Sequence, residues 1–253
     1  MRPFVLAETN WKTIKDQGID LAILPWGASE AHNYHLPFST DNIMVEKIAI
    51  ESASKAWSKG ARPIVLPTIP LGVNTGQMDI KLNINLNPST QFAILNDVTD
   101  VINRHGIYKF LILNGHGGND FKQIIRELGL RYPKMFICGC NWYQSFKNSD
   151  FFENSGGHAD EMETSMVQYL APDLVLPLNE AGKGHGKKFK IKALNENWAW
   201  AERKWSQITV DTGIGNPSKA TPEKGEKCFH EVVNKIGDFI FELSKADVSN
   251  MYE

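Results

Sequence analysis

Short apolar runs alternate with longer segments of helical periodicity along this 253-residue chain, and no other feature restricts its fold as strongly. Residues 21–24, 63–66, 110–113 and 136–138 are too short for buried helices and rich in Ile, Leu and Val, so they read as central strands. Residues 42–58, 88–105, 121–132, 161–170 and 222–245 carry apolar side chains at helical spacing. Asn87-Pro88 reads as a helix start, with Asn87 as cap and Pro88 in the first helical position, and Ala171-Pro172 closes the helix before it. Strands that alternate with helices pair in parallel through crossovers. The length suits one large α/β domain over residues 1–253.

Charge and composition narrow the class of partner. The formal net charge is −2 and the basic residues are dispersed, which gives no electrostatic reason to expect nucleic acid. The densest basic segment, residues 186–192, alternates after Lys188 and reads as a short strand or hairpin with one solvated charged side. Residues 1–10 lack the apolar core of a signal peptide, and no later run is long enough to cross a bilayer. The expectation is a cytoplasmic protein without membrane association. Three cysteines argue against a disulfide framework, and Cys138 and Cys140 read as small buried residues of a strand.

The polar clusters fall just after the strands. Glu30, His32 and Asp41 follow the first, His116 follows the third in Asn114-Gly115-His116-Gly117-Gly118-Asn119, and His158, Glu161 and Glu163 open the helix at 161–170. Ionisable groups beside a buried strand lose hydration, a cost normally offset by pairing or by a cation. Open α/β sheets place ligands at this carboxyl edge, and mixed imidazole and carboxylate donors suit zinc, manganese or iron better than calcium or magnesium. The glycines around His116 could instead form an anion nest, but they lack the Lys-Ser/Thr ending of a phosphate loop. His35 reads as a hydrogen-bonding residue, and His105, His185 and His230 as solvated or structural. Residues 182–186 read as a loop that could act as a flap, while Trp142, Tyr143, Trp198 and Trp200 could line a pocket or pack in a core.

Four blocks together resemble the creatininase (creatinine amidohydrolase) family. They are Gly27-Ala28-Ser29-Glu30-Ala31-His32 with Leu36-Pro37 and Thr40-Asp41, the Asn114 to Asn119 segment, His158-Ala159 leading to Glu163-Thr164-Ser165, and Gly213-Ile214-Gly215-Asn216-Pro217 with Ala220-Thr221 and Glu223-Lys224-Gly225. The resemblance implies a three-layer α/β/α sandwich with a mainly parallel central sheet, assembled as a homo-oligomer, commonly a hexamer. It implies a centre of two divalent transition-metal ions, zinc or manganese with iron as an alternative. Glu30, His32, Asp41, His116 and Glu163 would be the ligands, with Asp41 bridging. Creatininase itself places a glutamate two residues after the histidine matching His116, where this chain has Gly118, so Glu163 would fill that place.

The implied reaction is hydrolysis of a C–N bond in a small amide or cyclic amide by a metal-bridging hydroxide, with His158 or Glu161 delivering a proton to the leaving nitrogen. Asn114 and Asn119 would shape the turn and support the ligands. The chain departs from creatininase at Gly118, at residues 154–157 and at residues 76–83. The substrate class therefore extends to formamides and to ring-opening of cyclic ketones or lactones. A non-catalytic small-molecule-binding subunit is the alternative outside enzymes.

Overall fold

The structure, a computed structural model that describes residues 1–154 and 156–253, is built on a four-stranded sheet in the order β2-β1-β3-β4. The strands are β1 (Leu21–Trp26), β2 (Pro63–Val65), β3 (Lys109–Asn114) and β4 (Phe136–Asn141). Every pairing is parallel. Five long helices surround them: α1 (Thr40–Ser58), α2 (Pro88–Arg104), α3 (Lys122–Arg131), α4 (Glu161–Leu170) and α5 (Pro222–Lys245).

Successive side chains of a strand point to opposite faces, and here the alternation divides the interior in two. Leu21 and Ile23 of β1 with Leu111 and Leu113 of β3 enter one core, against Met44, Val45 and Ile48 of α1, Met166 of α4 and Val232 and Ile236 of α5. Ala22, Leu24 and Trp26 with Phe110 and Ile112 enter the other, against Leu95 and Ile102 of α2 and Ile124 and Leu128 of α3. Three layers follow from that division. Each fully buried Leu or Ile contributes about 1.5–3 kcal/mol, and both faces of β1 and β3 are covered, which is why these strands read as unbroken apolar runs.

Several expectations are corrected. Only β1 and β3 are central; β2 and β4 are the edges, and the side chains of β4 are correspondingly half-buried rather than buried. Pro88 does occupy the first turn of α2, but the Asn87 side chain does not cap it. It accepts instead from Asn85 Nδ2 at 2.7 Å. Residues 186–191 form no strand, and a single helical turn follows at Lys192–Asn195. Residues 182–186 are a loop, yet a pinned one: Gly182 N donates to Asn33 Oδ1 at 2.8 Å and Gly184 N to Asp211 Oδ2 at 2.9 Å. No helix among the described residues is long and apolar enough to cross a membrane.

Helices α4 and α5 meet closely where α5 begins. Thr221 caps α5 by accepting from Lys224 N at 3.3 Å, and Thr221 N donates to Ser165 Oγ at 3.2 Å. At Gly225 a β-carbon would lie 2.0 Å from the Ser165 carbonyl oxygen. Gly225→Ala should therefore destabilise the protein by about 1–3 kcal/mol through overpacking. Gly129→Ala, at an exposed position of α3 with open space around it, should stabilise it by about 0.5–1 kcal/mol. Urea unfolding of both variants checks the pair of opposite signs.

Candidate metal centre

Trp26 of β1 lies opposite Asn114 of β3, so the segments leaving the two central strands start side by side. The first passes through Glu30 and His32 and enters α1, putting Asp41 in its first turn. The second must pass α1 closely: a β-carbon at Gly115 would lie 2.8 Å from Val45 Cβ and 3.2 Å from the Asp41 carbonyl oxygen. Glycine leaves room there, and His116 follows. From the other direction, Asp160 caps α4 by accepting from Met162 N at 3.0 Å and Glu163 N at 3.2 Å. That cap fixes Glu163 in the first turn. His158, just before it, is held by backbone bonds to Ile214 at 3.1 and 2.8 Å.

These segments gather three carboxylates and three imidazoles, all buried. Each imidazole is pinned by a backbone carbonyl through one nitrogen and offers the other to the cluster. His32 Nδ1 donates to the Glu30 carbonyl at 3.0 Å, His116 Nε2 to the Val73 carbonyl at 3.0 Å, and His158 Nε2 to the Ala31 carbonyl at 2.8 Å. Such outer hydrogen bonds set the tautomer and the orientation of a ligating histidine. The inward nitrogens face carboxylates. His32 Nε2 is 3.3 Å from Asp41 Oδ1 and 3.9 Å from both Glu30 Oε1 and Glu163 Oε2. His116 Nδ1 is 2.9 Å from Glu30 Oε1 and 3.0 Å from Asp41 Oδ2, while His158 Nδ1 is 3.6 Å from Glu30 Oε1.

Asp41 thus turns one oxygen to His32 and the other to His116. Donor atoms lie within 4.8 Å of one another in the triads Glu30–Asp41–His116 and His32–Asp41–Glu163, which share Asp41, and in Glu30–His32–His158. His32 Nε2 and Asp41 Oδ2 are buried and make no well-aligned hydrogen bond, although Asp41 Oδ1 lies 3.3 Å from the first and His116 Nδ1 3.0 Å from the second. A buried lone pair left unmatched is costly, so the donor set fits cations placed between these groups.

The electrostatics describe a cluster held together by opposite charge. Burial lowers the His32 pKa, but Asp41, Glu163 and Glu30 outweigh it and carry it to about 10. Burial lowers that of His116 too, and Glu30 with Asp41 raises it well above the ordinary value. Burial raises Asp41, yet His32 and His116 hold it below the usual carboxylate range. Burial and the neighbouring His32 push His158 down to about 4. For Glu163 burial dominates and Asp41 adds to it against His32, pushing the carboxyl up to about 7.

A cavity of about 820 Å³ opens over the cluster, and Glu30, Asp41, His116, His158 and Glu163 form part of its wall. Tyr143 and Trp200 line it, whereas Trp142 is buried in the core and Trp198 is exposed. His35 is buried behind the cluster, hydrogen-bonded to Thr164 Oγ1 at 2.9 Å. Asn114 Oδ1 accepts from His116 N and Asn119 Nδ2, and Asn119 Oδ1 accepts from Val73 N and Gln91 Nε2, so both amides brace the loop that carries His116.

Two residues escaped the sequence reading. Gln77 Nε2 donates to Glu30 Oε2, and the Trp205 ring packs edge-on against His158 with centroids 4.7 Å apart. Neither residue lies in a metal-ligand pattern; Gln77 falls within residues 76–83, already marked by their departure from the family pattern.

Glu161 is not brought to the cavity wall. Its carboxylate accepts from Glu153 N at 3.2 Å, Asn154 N at 2.7 Å and Lys224 Nζ at 2.5 Å. The helical phase accounts for this: two residues apart on α4, Glu161 and Glu163 face different directions.

A parallel α/β sheet that gathers buried imidazoles and carboxylates at its carboxyl edge, in groups able to hold a metal ion, defines the architecture of the centre. Residues 7–240 match the creatininase (creatinine amidohydrolase) family, and the chain belongs to it. A solved structure from Bacteroides fragilis NCTC 9343, provisionally a creatinine amidohydrolase, is 42% identical, with 100% of both chains covered and a TM-score of 0.94. The structure of a creatininase in its Mn form is similar in fold: 20% identity, 96% of this chain and 99% of that one covered, TM-score 0.80. The 3-dehydro-scyllo-inosose hydrolase of Thermotoga maritima is 27% identical over 175 residues, 62% of this chain and 52% of that protein, so the match spans about half of that relative.

A β-carbon at Gly118 would lie 2.3 Å from the Val73 carbonyl oxygen and 2.5 Å from His116 Nε2. Gly118→Glu should therefore not supply a ligand. It should displace the carbonyl that pins His116, cost about 1–3 kcal/mol of stability and lower bound metal, as checked by urea unfolding together with elemental analysis.

Proposed function

We propose that this protein hydrolyses the C–N bond of a small amide or cyclic amide with two divalent transition-metal ions. Glu30, Asp41 and His116 would hold one ion and His32, Asp41 and Glu163 the other. The observation that carries this reading is the placement of Asp41, whose two oxygens face two histidines that are each pinned on the far side. The donor chemistry suits zinc or manganese, and creatininases similar in fold are described both in a Mn form and as a Zn-Zn type. Such ions, when bound, polarise a carbonyl and make water acidic enough to attack at neutral pH.

The chain's own groups supply the rest. Gln77 orients Glu30, and Asn114 with Asn119 fixes the loop of His116. His158 projects Nδ1 towards the cluster from the cavity wall while Nε2–H stays bonded to Ala31, so Nδ1 can take the proton released by the attacking water. It returns that proton to the leaving nitrogen. Trp205 packs edge-on against this imidazole, while Glu161 ties residues 153 and 154 to Lys224. The match to the Thermotoga maritima enzyme favours ring-opening hydrolysis of a cyclic ketone as the second reading.

Elemental analysis of protein purified without chelator should find about two transition-metal ions per chain, falling sharply in Asp41→Asn. No bound metal after addition of zinc and manganese would sink the proposal. Glu161→Gln provides the contrast. It should lose about 1–3 kcal/mol of stability, because a charged hydrogen-bonding group is removed, and keep its full metal content. Loss of metal in that variant would place Glu161 in the centre after all.

A further inference from the structure

The cavity over the metal centre shares part of its wall with a neighbour. Trp200, Ala201 and Arg203 line it and also line a second cavity of about 540 Å³, whose wall includes Lys187, Lys188 and Phe189. A five-membered lactam would fill only a small part of the first cavity alone, which leaves room for a substrate with a second end.

The charge of that second region is distinctive. Residues 183–204 contain seven lysines and arginines against two glutamates, in a chain of formal net charge −2. Both glutamates are engaged elsewhere: Glu196 lies 3.4 Å from Lys192 Nζ, and Glu202 accepts from the Thr75 hydroxyl. Among the described residues, no carboxylate forms an ion pair with Arg203, Lys187 or Lys188. The Arg203 guanidinium carbon is 5.2 Å from the centroid of Trp205, the same ring that packs against His158. One aromatic ring therefore separates an unpaired guanidinium from the imidazole of the centre. A guanidinium stacked in this way keeps its planar fork of donors for a carboxylate or phosphate.

We infer that Arg203, assisted by Lys187 and Lys188, forms an oxyanion-binding subsite, and that the substrate is an amide or cyclic amide carrying a carboxylate or phosphate away from its scissile carbonyl. This rests on the metal-hydrolase reading given above. In the reaction, water supplies OH to the acyl carbon and H to the nitrogen as the C–N bond breaks, and the distal anion stays unchanged in Arg203's grip. The acidic side chains of the main cavity do not oppose this. Glu30, Asp41 and Glu163 belong to the cation site, and Glu202 is turned to Thr75. Asp120, on the loop after β3, accepts from Lys122 N at 3.1 Å.

The test uses chelating probes in place of the unidentified substrate. Succinic monohydroxamate, its phosphonate counterpart and its neutral carboxamide would be titrated by calorimetry into zinc-loaded wild type, Arg203→Gln and Arg203→Lys, each first shown by thermal melting to be folded. Arg203 is exposed at the cavity mouth, so neither substitution disturbs a core. One of the charged probes should bind wild type about tenfold or more tightly than the carboxamide, as expected for a charge-assisted hydrogen-bonded pair. The better of the two identifies the anion. That advantage should vanish in Arg203→Gln and return in part in Arg203→Lys, with the carboxamide unaffected throughout. Equal affinity for charged and neutral probes, or an advantage that survives in Arg203→Gln, overturns the subsite. If the carboxamide probe binds only to zinc-loaded protein, the metal reading stands by itself; if no hydroxamate binds, both readings fall.

Discussion

The joint burial of Glu30, Asp41 and Glu163 beside His32 and His116 is the constraint around which the carboxyl edge of this sheet is organised. None of these groups could be buried alone, because an isolated charge in a dry interior costs far more than the stability of a typical domain can absorb. Together they tolerate burial, and each loop that contributes one becomes committed to a single path. The glycine at position 115, the cap at Asp160 and the bond from Gln77 to Glu30 all serve to deliver side chains to that common point. The sheet supplies the foundation, since the register of β1 against β3 decides which segments begin next to one another.

Much of this is legible in the amino-acid sequence. Strands β1 and β3 announce themselves because they are apolar on both faces, and a residue run that is buried on both sides cannot disguise itself with polar alternation. Ligand candidates are legible for a related reason: acids and histidines directly after such strands are too costly to bury without a partner or a cation. What periodicity could not reveal was strand order, so 63–66 and 136–138 read as central when they lie at the two edges. Nor could it show direction on a helix that starts with two acids. Glu161 and Glu163 are equivalent as letters, and only the phase of α4 relative to α5 sends one to Lys224 and the other to His32.

The contacts made by Gln77 and Trp205 were illegible for a different reason. Each depends on a long loop folding back across the mouth of the cavity, where Thr75 meets Glu202 and Asp79 meets Ser206. Local propensity has no purchase on contacts of that sequence separation. The basic segment at 186–192 failed as a strand for the same cause: it is shaped by what it lies against rather than by an intrinsic preference.

The three imidazoles are oriented by carbonyl oxygens of Glu30, Ala31 and Val73, groups that every amino acid possesses. Side chains at 31 and 73 can consequently drift without retuning the tautomers inside. An arrangement of this kind assigns the tautomers of the centre to the main chain, so that a change of side chain at those two places leaves the orienting oxygen where it was.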